Sequence, residues 1–357
     1  MSRQAFVHRI AMTAPDDVSG LEAAIARGAV DPACVVAVLG KTEGNGCVND
    51  FTRALAARAL HDRLGAAPCC VMSGGTEGAL SPHFTVFEVR TSDALPVDDA
   101  LAVGHCRTPA LPGQHLGRLA QVDAVAAGVR TAMEEAGITS PDDVHFVQVK
   151  CPLLTSARLA ALDREGVAPA TRDTLKSMGL SRAASSLGVA VALGEVVRDD
   201  LTDEAIGRDW ELRSSRASAS AGVELMGHEI VVLGRGRGWS GPLRVDHAVM
   251  ADGIDIEPVR AALARLGLAS TGQLDRHQRG RLKALLAKAE PGASGQLRGY
   301  RHTMLTDSDV SPTRHARGFT AGALAALVGH AEIYVSGGAE HQGPDGGGPV
   351  CVIVEAA

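Results

Sequence analysis

The pattern Ser-x-Gly-x-Glu occurs three times in this chain, as SGGTE at 73–77, SAGVE at 220–224 and SGGAE at 336–340. Each copy adjoins an apolar stretch that favours a β-strand: APCCVM precedes the first, HEIVVLG follows the second and AEIYV precedes the third. Glycine beside such a stretch is typical of a strand end. We therefore expect the three serines at strand ends, beside backbone turns.

A lysine and then an arginine precede each serine. The lysines end apolar runs and the arginines open Ala- and Leu-rich stretches; the three sets are Lys41, Arg53 and Ser73; Lys150, Arg182 and Ser220; and Lys288, Arg317 and Ser336. The arginine-to-serine intervals are 20, 38 and 19 residues. One set alone has a simpler explanation, as a tight turn near a solvated strand end. Three ordered sets predict an internal repeat instead.

The repeat predicts the fold class and the division of the chain. Strand-like and helix-like segments alternate within each unit, which favours an α/β or α+β fold with the units packed around a shared centre. Two Pro- and Gly-bearing segments mark the expected joints, TPALPGQ at 108–114 and ADGIDIEP at 251–258. We therefore expect three repeat units, at 1–104, 112–250 and 255–357.

Composition excludes several classes of partner. The chain has 357 residues, 45% of them apolar and 21% charged, and its formal charge of -6 includes no basic block, so nucleic acid is not expected as a partner. The opening MSRQAFVHRIAMTAPDD lacks the continuous apolar stretch of a secretion signal, and no run is long and apolar enough to span a membrane. Seven cysteines without a CxxC motif indicate reduced thiols. We expect a cytoplasmic protein with no membrane partner.

The three sets contain the groups needed for nucleophilic catalysis. A serine hydroxyl needs a base, and a lysine amine serves as that base when burial or a nearby cation lowers its pKa. An arginine in each set can supply the cation or hold a substrate carbonyl, and the Gly-rich turns offer backbone N–H donors to an oxyanion. Three such sets indicate a ligand with threefold chemistry, such as a six-membered ring of alternating carbonyl and N–H groups.

The sequence contains one candidate region for a metal ion. The Gly- and Pro-rich segment AEHQGPDGGGP at 339–349 has backbone carbonyls that can hold a hard cation. His302, His315 and His341 have no paired ligand spacing, so a catalytic zinc is not predicted.

Longer segments around these residues resemble a known family. They are GKTEGNGCVNDFTR at 40–53, MSGGTEGALSPH at 72–83, HFVQVKCPLLT at 145–155, SASAGVEL at 218–225, RHTMLTDSDVSPTRHAR at 301–317 and YVSGGAEHQGPDGGGP at 334–349. They are similar to the signature segments of the cyanuric acid hydrolase and barbiturase family, and the resemblance covers essentially the whole chain.

The resemblance implies an α/β fold of three related units around a pseudo-threefold axis, with the active site at the centre. It implies a homotetramer that hydrolyses the s-triazine ring of cyanuric acid to 1-carboxybiuret, which then loses carbon dioxide to give biuret. Ser220 would be the nucleophile and Lys150 its base. Further substrate contacts would come from Lys41, Arg53, Ser73, Gly74, Arg182, Ala221, Lys288, Arg317, Ser336 and Gly337.

The resemblance also implies a structural divalent cation, Mg²⁺ or Ca²⁺, and no organic cofactor. Its ligands would be Glu290, Ala339, Gln342, Gly343, Pro344 and Gly347.

A separate argument from the residues also selects the second set. Residues two apart on a strand point to the same side, so Lys41 would share a side with Glu43, and Lys288 with Glu290. A nearby carboxylate favours a charged lysine. Lys150 has no acid at the matching position, so we expect it to be the lysine most easily kept neutral.

Three alternatives stay open on the sequence. The first is barbiturase or related imidase activity, on a ring with a CH₂ in place of one N–H. The second is binding of cyclic imides without turnover. The third is a purely structural role for the repeats, which predicts no binding of small rings.

Overall fold

Three mixed β-sheets of one design form the centre of the molecule, in a computed structural model that describes residues 1–357. The first sheet and its helices comprise β1 (Ser2–Ala11), α1 (Ser19–Ala26), β2 (Val35–Thr42), α2 (Phe51–Leu64), β3 (Cys69–Gly74) and β4 (His83–Ser92). The second sheet and its helices comprise β5 (Leu101–Arg107), α3 (Leu119–Ala136), β6 (Val144–Pro152), α4 (Ser156–Glu165), α5 (Thr174–Ala192), β7 (Ala217–Gly222) and β8 (Glu229–Arg235).

The third sheet follows a two-residue strand, β9 (Trp239–Ser240). Its strands and helices are β10 (Leu243–Met250), α6 (Glu257–Arg265), α7 (Arg276–Arg281), β11 (Leu282–Ala289), α8 (Pro312–Val328), β14 (Tyr334–Gly337) and β15 (Gly348–Glu355), with a small separate hairpin of β12 (Gln296–Leu297) and β13 (Tyr300–Arg301). Single 3₁₀ turns occur at Pro32–Cys34, Gly113–His115, Pro141–Asp143 and Arg198–Asp200. None of the helices has the length and apolar character needed to cross a membrane.

The three sheets share one topology. Their strand orders are β3-β2-β4-β1, β7-β6-β8-β5 and β14-β11-β15-β10. Among these four strands of each sheet, the first two are parallel and joined by a crossover containing a helix, and the remaining pairs are antiparallel. The first sheet has a fifth strand, β9, which pairs in parallel with β1. The parallel edge strands meet in the interior, where β14 contacts both β2 and β7 and β3 contacts β7. The predicted α/β fold of three related units around a pseudo-threefold axis is confirmed.

The predicted unit boundaries differ from the membership of the sheets. The boundary at 104 divides β5, which lies wholly in the second sheet, and β10 belongs to the third sheet although it was predicted in the second unit. TPALPGQ and ADGIDIEP are loops inside units, between β5 and α3 and between β10 and α6. Pro and Gly mark a loop without showing whether it joins units. We propose that the units are joined at 93–100 and 236–242.

The core is built from small aliphatic side chains, as a chain with 3% aromatic residues requires. One cluster of 43 buried apolar residues includes strands from all three sheets. Helices pack closely on the sheets where the facing residue is glycine. A Cβ atom at Gly104 on β5 would lie 1.9 Å from the carbonyl oxygen of Ala132 on α3.

Gly104→Ala is expected to destabilise the fold, because the backbone carbonyl that it meets cannot rotate away. We expect a loss of about 1–3 kcal/mol in the free energy of unfolding, measured by chemical denaturation. Gly280→Ala is the control, since a Cβ atom there has no neighbour within 4 Å. That helical residue should gain stability or stay neutral. Equal stability of the two variants would contradict the close packing of α3 on β5.

Candidate active site

The register of the parallel strand pairs sets each predicted lysine beside its serine. The aligned pairs are Lys41 with Ser73, Lys150 with Ser220, and Lys288 with Ser336. Each pair sits at or near the carboxyl ends of its two strands, which lie at the same sheet edge because the strands are parallel. All six residues are buried. The predicted positions of the serines near strand ends are confirmed.

The three serines line one small cavity of about 20 Å³ where the sheets meet. Its lining is Gly46, Arg53, Ser73, Gly74, Met178, Arg182, Ser220, Ala221, Arg317, Ser336 and Gly337. A larger cleft of about 530 Å³ shares Gly46, Met178, Arg182 and Arg317 with it and leads outward. Every residue predicted to contact substrate therefore lines the cavity, except the three lysines, which lie beside it. Gly46 and Met178 were missed, because neither belongs to a repeated motif.

Each arginine lies on a helix of the crossover between its lysine strand and its serine strand. Arg53 and Arg317 lie in the first two turns of α2 and α8, as expected. The expectation that Arg182 opens a helix is wrong, because α5 already begins at Thr174. Asp173, whose side chain accepts from the Lys176 backbone N–H, caps that earlier start.

The glutamates of the Ser-x-Gly-x-Glu pattern pair with these arginines across unit boundaries. Arg317 donates to both oxygens of Glu77, with 2.5 Å between Nε and Oε2. Arg182 donates to Glu340, with 2.8 Å between Nε and Oε2. The first and third units thus each supply an acid to the arginine of another unit. The sequence showed the three acids but not this pairing, because partners lie far apart along the chain.

The third arginine and glutamate, Arg53 and Glu224, do not form a close ion pair. Arg53 Nε lies 4.0 Å from Glu224 Oε1, and Lys150 Nζ lies 2.8 Å from the same oxygen. The Arg53 guanidinium donates instead to the backbone carbonyls of Gly46 and Cys47. The pseudo-threefold symmetry is therefore broken at the second Ser-Lys pair.

The second serine also differs from the other two in its hydrogen bonds. Lys41 Nζ donates to Ser73 Oγ at 3.2 Å, and Lys288 Nζ donates to Ser336 Oγ at 3.2 Å. Lys150 Nζ donates to the Met72 carbonyl at 2.5 Å, while Ser220 Oγ has no hydrogen-bond partner. Ser220 is thus the one serine of the three whose hydroxyl is not engaged.

The pKa values of all three lysines are lowered. Burial and the Arg317 guanidinium hold the pKa of Lys41 well below its usual range. Burial and Arg182 lower the pKa of Lys288 to about 7. Burial also lowers the pKa of Lys150, but Glu224 opposes the fall.

The expectation that Lys150 is the lysine most easily kept neutral is therefore not supported, because the Glu224 carboxylate lies 2.8 Å from its Nζ. The acid comes from the loop after β7 and not from the lysine strand. Glu43, which was expected to face Lys41, is exposed to solvent.

The predicted metal region contains a buried acid with a raised pKa. Burial, together with repulsion from Glu340, raises the pKa of the Glu290 carboxyl to about 7. Its one side-chain hydrogen bond comes from Thr313 Oγ1, at 3.1 Å from Oε1. Glu290 and Gly346 line a common small cavity, so the C-terminal loop lies beside this acid. A cation here would offset the buried negative charge, so these residues fit a divalent ion.

The side chain of Gln342 is not free to act as a ligand. Its Oε1 accepts from the Ala219 backbone N–H at 2.7 Å. Of the predicted ligands, Ala339, Gln342, Gly343, Pro344 and Gly347 would therefore contribute backbone carbonyl oxygens.

A second group of metal-ligating atom types lies elsewhere. His145, Asp246 and His247 bring one such atom each to within 4.8 Å of one another. The two histidine Nδ1 atoms are 2.9 Å apart, and Arg265 pairs with Asp246. No sequence motif reveals this group, since its members lie on β6 and β10, about a hundred residues apart.

Comparison with known proteins places this fold and site among the hydrolases. A family model described as amidohydrolase ring-opening protein matches residues 6–355. The cyanuric acid amidohydrolase of Bradyrhizobium sp. (strain ORS 375) is 61% identical over 365 residues, covering 99% of this chain and 98% of that protein. The chain belongs to the ring-opening amidohydrolase family.

Solved structures agree with this assignment. A crystal structure described as the cyanuric acid hydrolase of A. caulinodans is 59% identical, with a TM-score of 0.91 over 99% of both chains. Another, described as a cyanuric acid hydrolase that arose by structural concatenation, is 48% identical, with a TM-score of 0.95 over 100% of both chains.

Removing the charge of Glu77 should destabilise the protein, because Glu77→Gln leaves the buried Arg317 guanidinium without its counter-ion. We expect a loss of about 3 kcal/mol in the free energy of unfolding, measured by urea denaturation. The control is Asp163→Asn, which removes the same charge from the exposed Arg172–Asp163 pair and should cost far less, because solvent screens an exposed ion pair. Similar losses in both variants would contradict a special role for the buried pair.

Proposed function

We propose that this hydrolase opens the ring of cyanuric acid. The product would be 1-carboxybiuret, which loses carbon dioxide to give biuret. The observation that carries the proposal is the convergence of three Ser-Lys pairs and three arginines on one cavity. Cyanuric acid has three carbonyl groups alternating with three N–H groups, so its symmetry matches that of the cavity. The names of the relatives support the same substrate.

In the proposed mechanism, Ser220 is the nucleophile and Lys150 is its base. Neutral Lys150 removes the hydroxyl proton as Ser220 Oγ bonds to a ring carbonyl carbon. The carbon–nitrogen bond then breaks, and the proton passes from Lys150 to the leaving ring nitrogen. Water hydrolyses the resulting acyl-enzyme to 1-carboxybiuret. The unengaged Ser220 hydroxyl supports this choice over the other two serines.

The other residues of the cavity would bind and orient the ring. Arg53, Arg182 and Arg317 can each donate to a ring carbonyl, and the backbone N–H groups near Gly74, Ala221 and Gly337 can stabilise the developing oxyanion. Lys41 with Ser73, and Lys288 with Ser336, would hold the two ring edges that do not react.

We also propose a structural Mg²⁺ or Ca²⁺ ion held by Glu290 and the carbonyl groups of the 339–347 loop. Oxygen ligands suit either ion. The ion would supply positive charge that stabilises the buried acids and fixes the loop after Ser336. The homotetrameric assembly and the cytoplasmic location stay predictions.

The substrate is tested by steady-state turnover of cyanuric acid and of barbituric acid, followed by ultraviolet absorbance. We expect cyanuric acid to be used with the higher kcat/KM. Ser220→Ala should lower turnover by roughly 10⁴-fold or more, as loss of a nucleophile does. Ser218→Ala is the matched control: it deletes another buried hydroxyl on β7, and its turnover should stay near that of the parent. Preference for barbituric acid, or Ser220→Ala activity near the parent's, would refute the proposal.

The metal is tested by chelation. The metal-free protein should melt at a lower temperature and retain weakened activity, because the proposed ion acts through the position of the loop. Glu290→Gln should melt lower and lose its response to the chelator. A melting temperature unchanged by chelation, in protein shown by elemental analysis to contain no divalent ion, would contradict this site.

A further inference from the structure

The loop after the second serine has a different backbone from its two counterparts. Gly75 and Gly338, two residues after Ser73 and Ser336, have φ angles of 97° and 81°. The matching Gly222 is not in this left-handed region. The difference accompanies a change in sequence, because the residue before it is Ala221 where the other two copies have glycine.

These two backbone conformations place different side chains against the glycine. A Cβ atom at Gly75 would lie 2.0 Å from Arg317 Nη2, and one at Gly338 would lie 2.4 Å from Arg182 Nε. A Cβ atom at Gly222 would instead lie 2.0 Å from Glu224 Oε2. In the first and third units, the glycine makes room for an arginine. In the second unit, it makes room for the glutamate of its own loop, which reaches Lys150.

Glu224 is therefore enclosed beside Lys150 with few other partners. Its exposed side-chain fraction is 9%, and neither carboxylate oxygen makes a hydrogen bond of good geometry. Burial raises the pKa of Glu224, but the charges of Lys150 and Arg53 outweigh burial, so the pKa is lowered overall. The Glu224 carboxylate is thus kept ionised by the Arg53 guanidinium and, whenever it carries a proton, by Lys150.

We propose that Glu224 is a positioning residue for Lys150, holding the lysine ammonium that forms each time Lys150 takes the proton of Ser220. This inference rests on the proposed function of the site. In the reaction, the proton moves from Ser220 Oγ to Lys150 Nζ as the bond to the ring carbon forms. It then moves from Nζ to the leaving ring nitrogen. Glu224 gains and loses no proton, and its charge stabilises the ammonium between these two transfers.

The charge of Glu224 also sets how basic the lysine is. A general base works best with a pKa near the working pH. Lys41 is aligned with Ser73 as Lys150 is with Ser220. It has no carboxylate within ion-pair distance, and its pKa lies well below the usual range. At Lys150, where burial also lowers the pKa, the charge of Glu224 opposes the fall. The other titratable groups that face this pair are Arg53 on α2, Cys151 on β6, Glu229 on β8 and Tyr334 on β14.

The test is a pH titration of the lysine side chains by carbon NMR, in protein labelled with ¹³Cε-lysine and carrying Ser220→Ala. The chain has five lysines, and the Lys150 signal is assigned by its loss in Lys150→Arg. Glu224→Gln keeps the shape of the side chain but removes its charge. The midpoint of Lys150 should then fall by about 1–3 pH units, the shift expected from loss of an opposite charge at this distance.

Glu77→Gln is the matched control, because it removes the equivalent acid in the first unit. It should leave the Lys150 midpoint in place. In the protein with Ser220 intact, Glu224→Gln should lower kcat by roughly 10²-fold with little change in KM. Glu224→Asp should restore part of this loss.

A Lys150 midpoint that stays in place or rises in Glu224→Gln overturns the proposal, and so does an unchanged kcat. If the parent protein does not hydrolyse cyanuric acid, the proposed function fails. The titration still decides whether Glu224 controls the protonation of Lys150, because it needs no turnover.

Discussion

The register of three parallel strand pairs is the constraint on which the site depends. Successive residues of a strand face opposite sides, so a slip of one residue in any pair would turn a lysine away from its serine. The register is fixed by the apolar residues on the same strands, which pack into the shared core. The packing that makes the fold stable therefore also sets the geometry of the site.

This arrangement concentrates basic groups where water is scarce. Three lysines and three arginines surround one cavity, and the three glutamates of the repeated motif are their main counter-ions. Arginine keeps its proton under such conditions, whereas lysine loses it readily. Because there are fewer carboxylates than cationic groups, the lysines are the groups that lose protons, and their amines become available as bases. Two of the glutamates pair with arginines, and the third, Glu224, lies closest to Lys150, so Lys150 is the only one of the three lysines with a carboxylate partner.

Much of the fold and of the site is predictable from the amino-acid sequence, whereas contacts between residues far apart along the chain are not. The Lys-Arg-Ser sets, the strand-end serines and the three units follow from local patterns that repeat. Contacts between units leave no such local signal. Glu77 and Glu340 lie inside the motif that reveals the repeat, yet the arginines that they pair with lie in other units. Glu224 lies in the same unit as Lys150, but it reaches the lysine from the loop after β7, so the residues of the lysine strand do not reveal it. The loops at 108–114 and 251–258 have the composition expected of joints but lie between a strand and a helix of one sheet, because composition alone does not show which strands a loop connects.

The two-residue strand β9 has a consequence for biosynthesis. It pairs in parallel with β1 at Arg3 and Gln4, although it lies two units further along the chain. Arg3 and Gln4 therefore have no strand partner on the outer side of the first sheet until Trp239 and Ser240 have left the ribosome. An open strand edge is a template for pairing with other chains. That short part of the β1 edge is therefore exposed throughout the synthesis of the second unit, long after the rest of the first sheet can form.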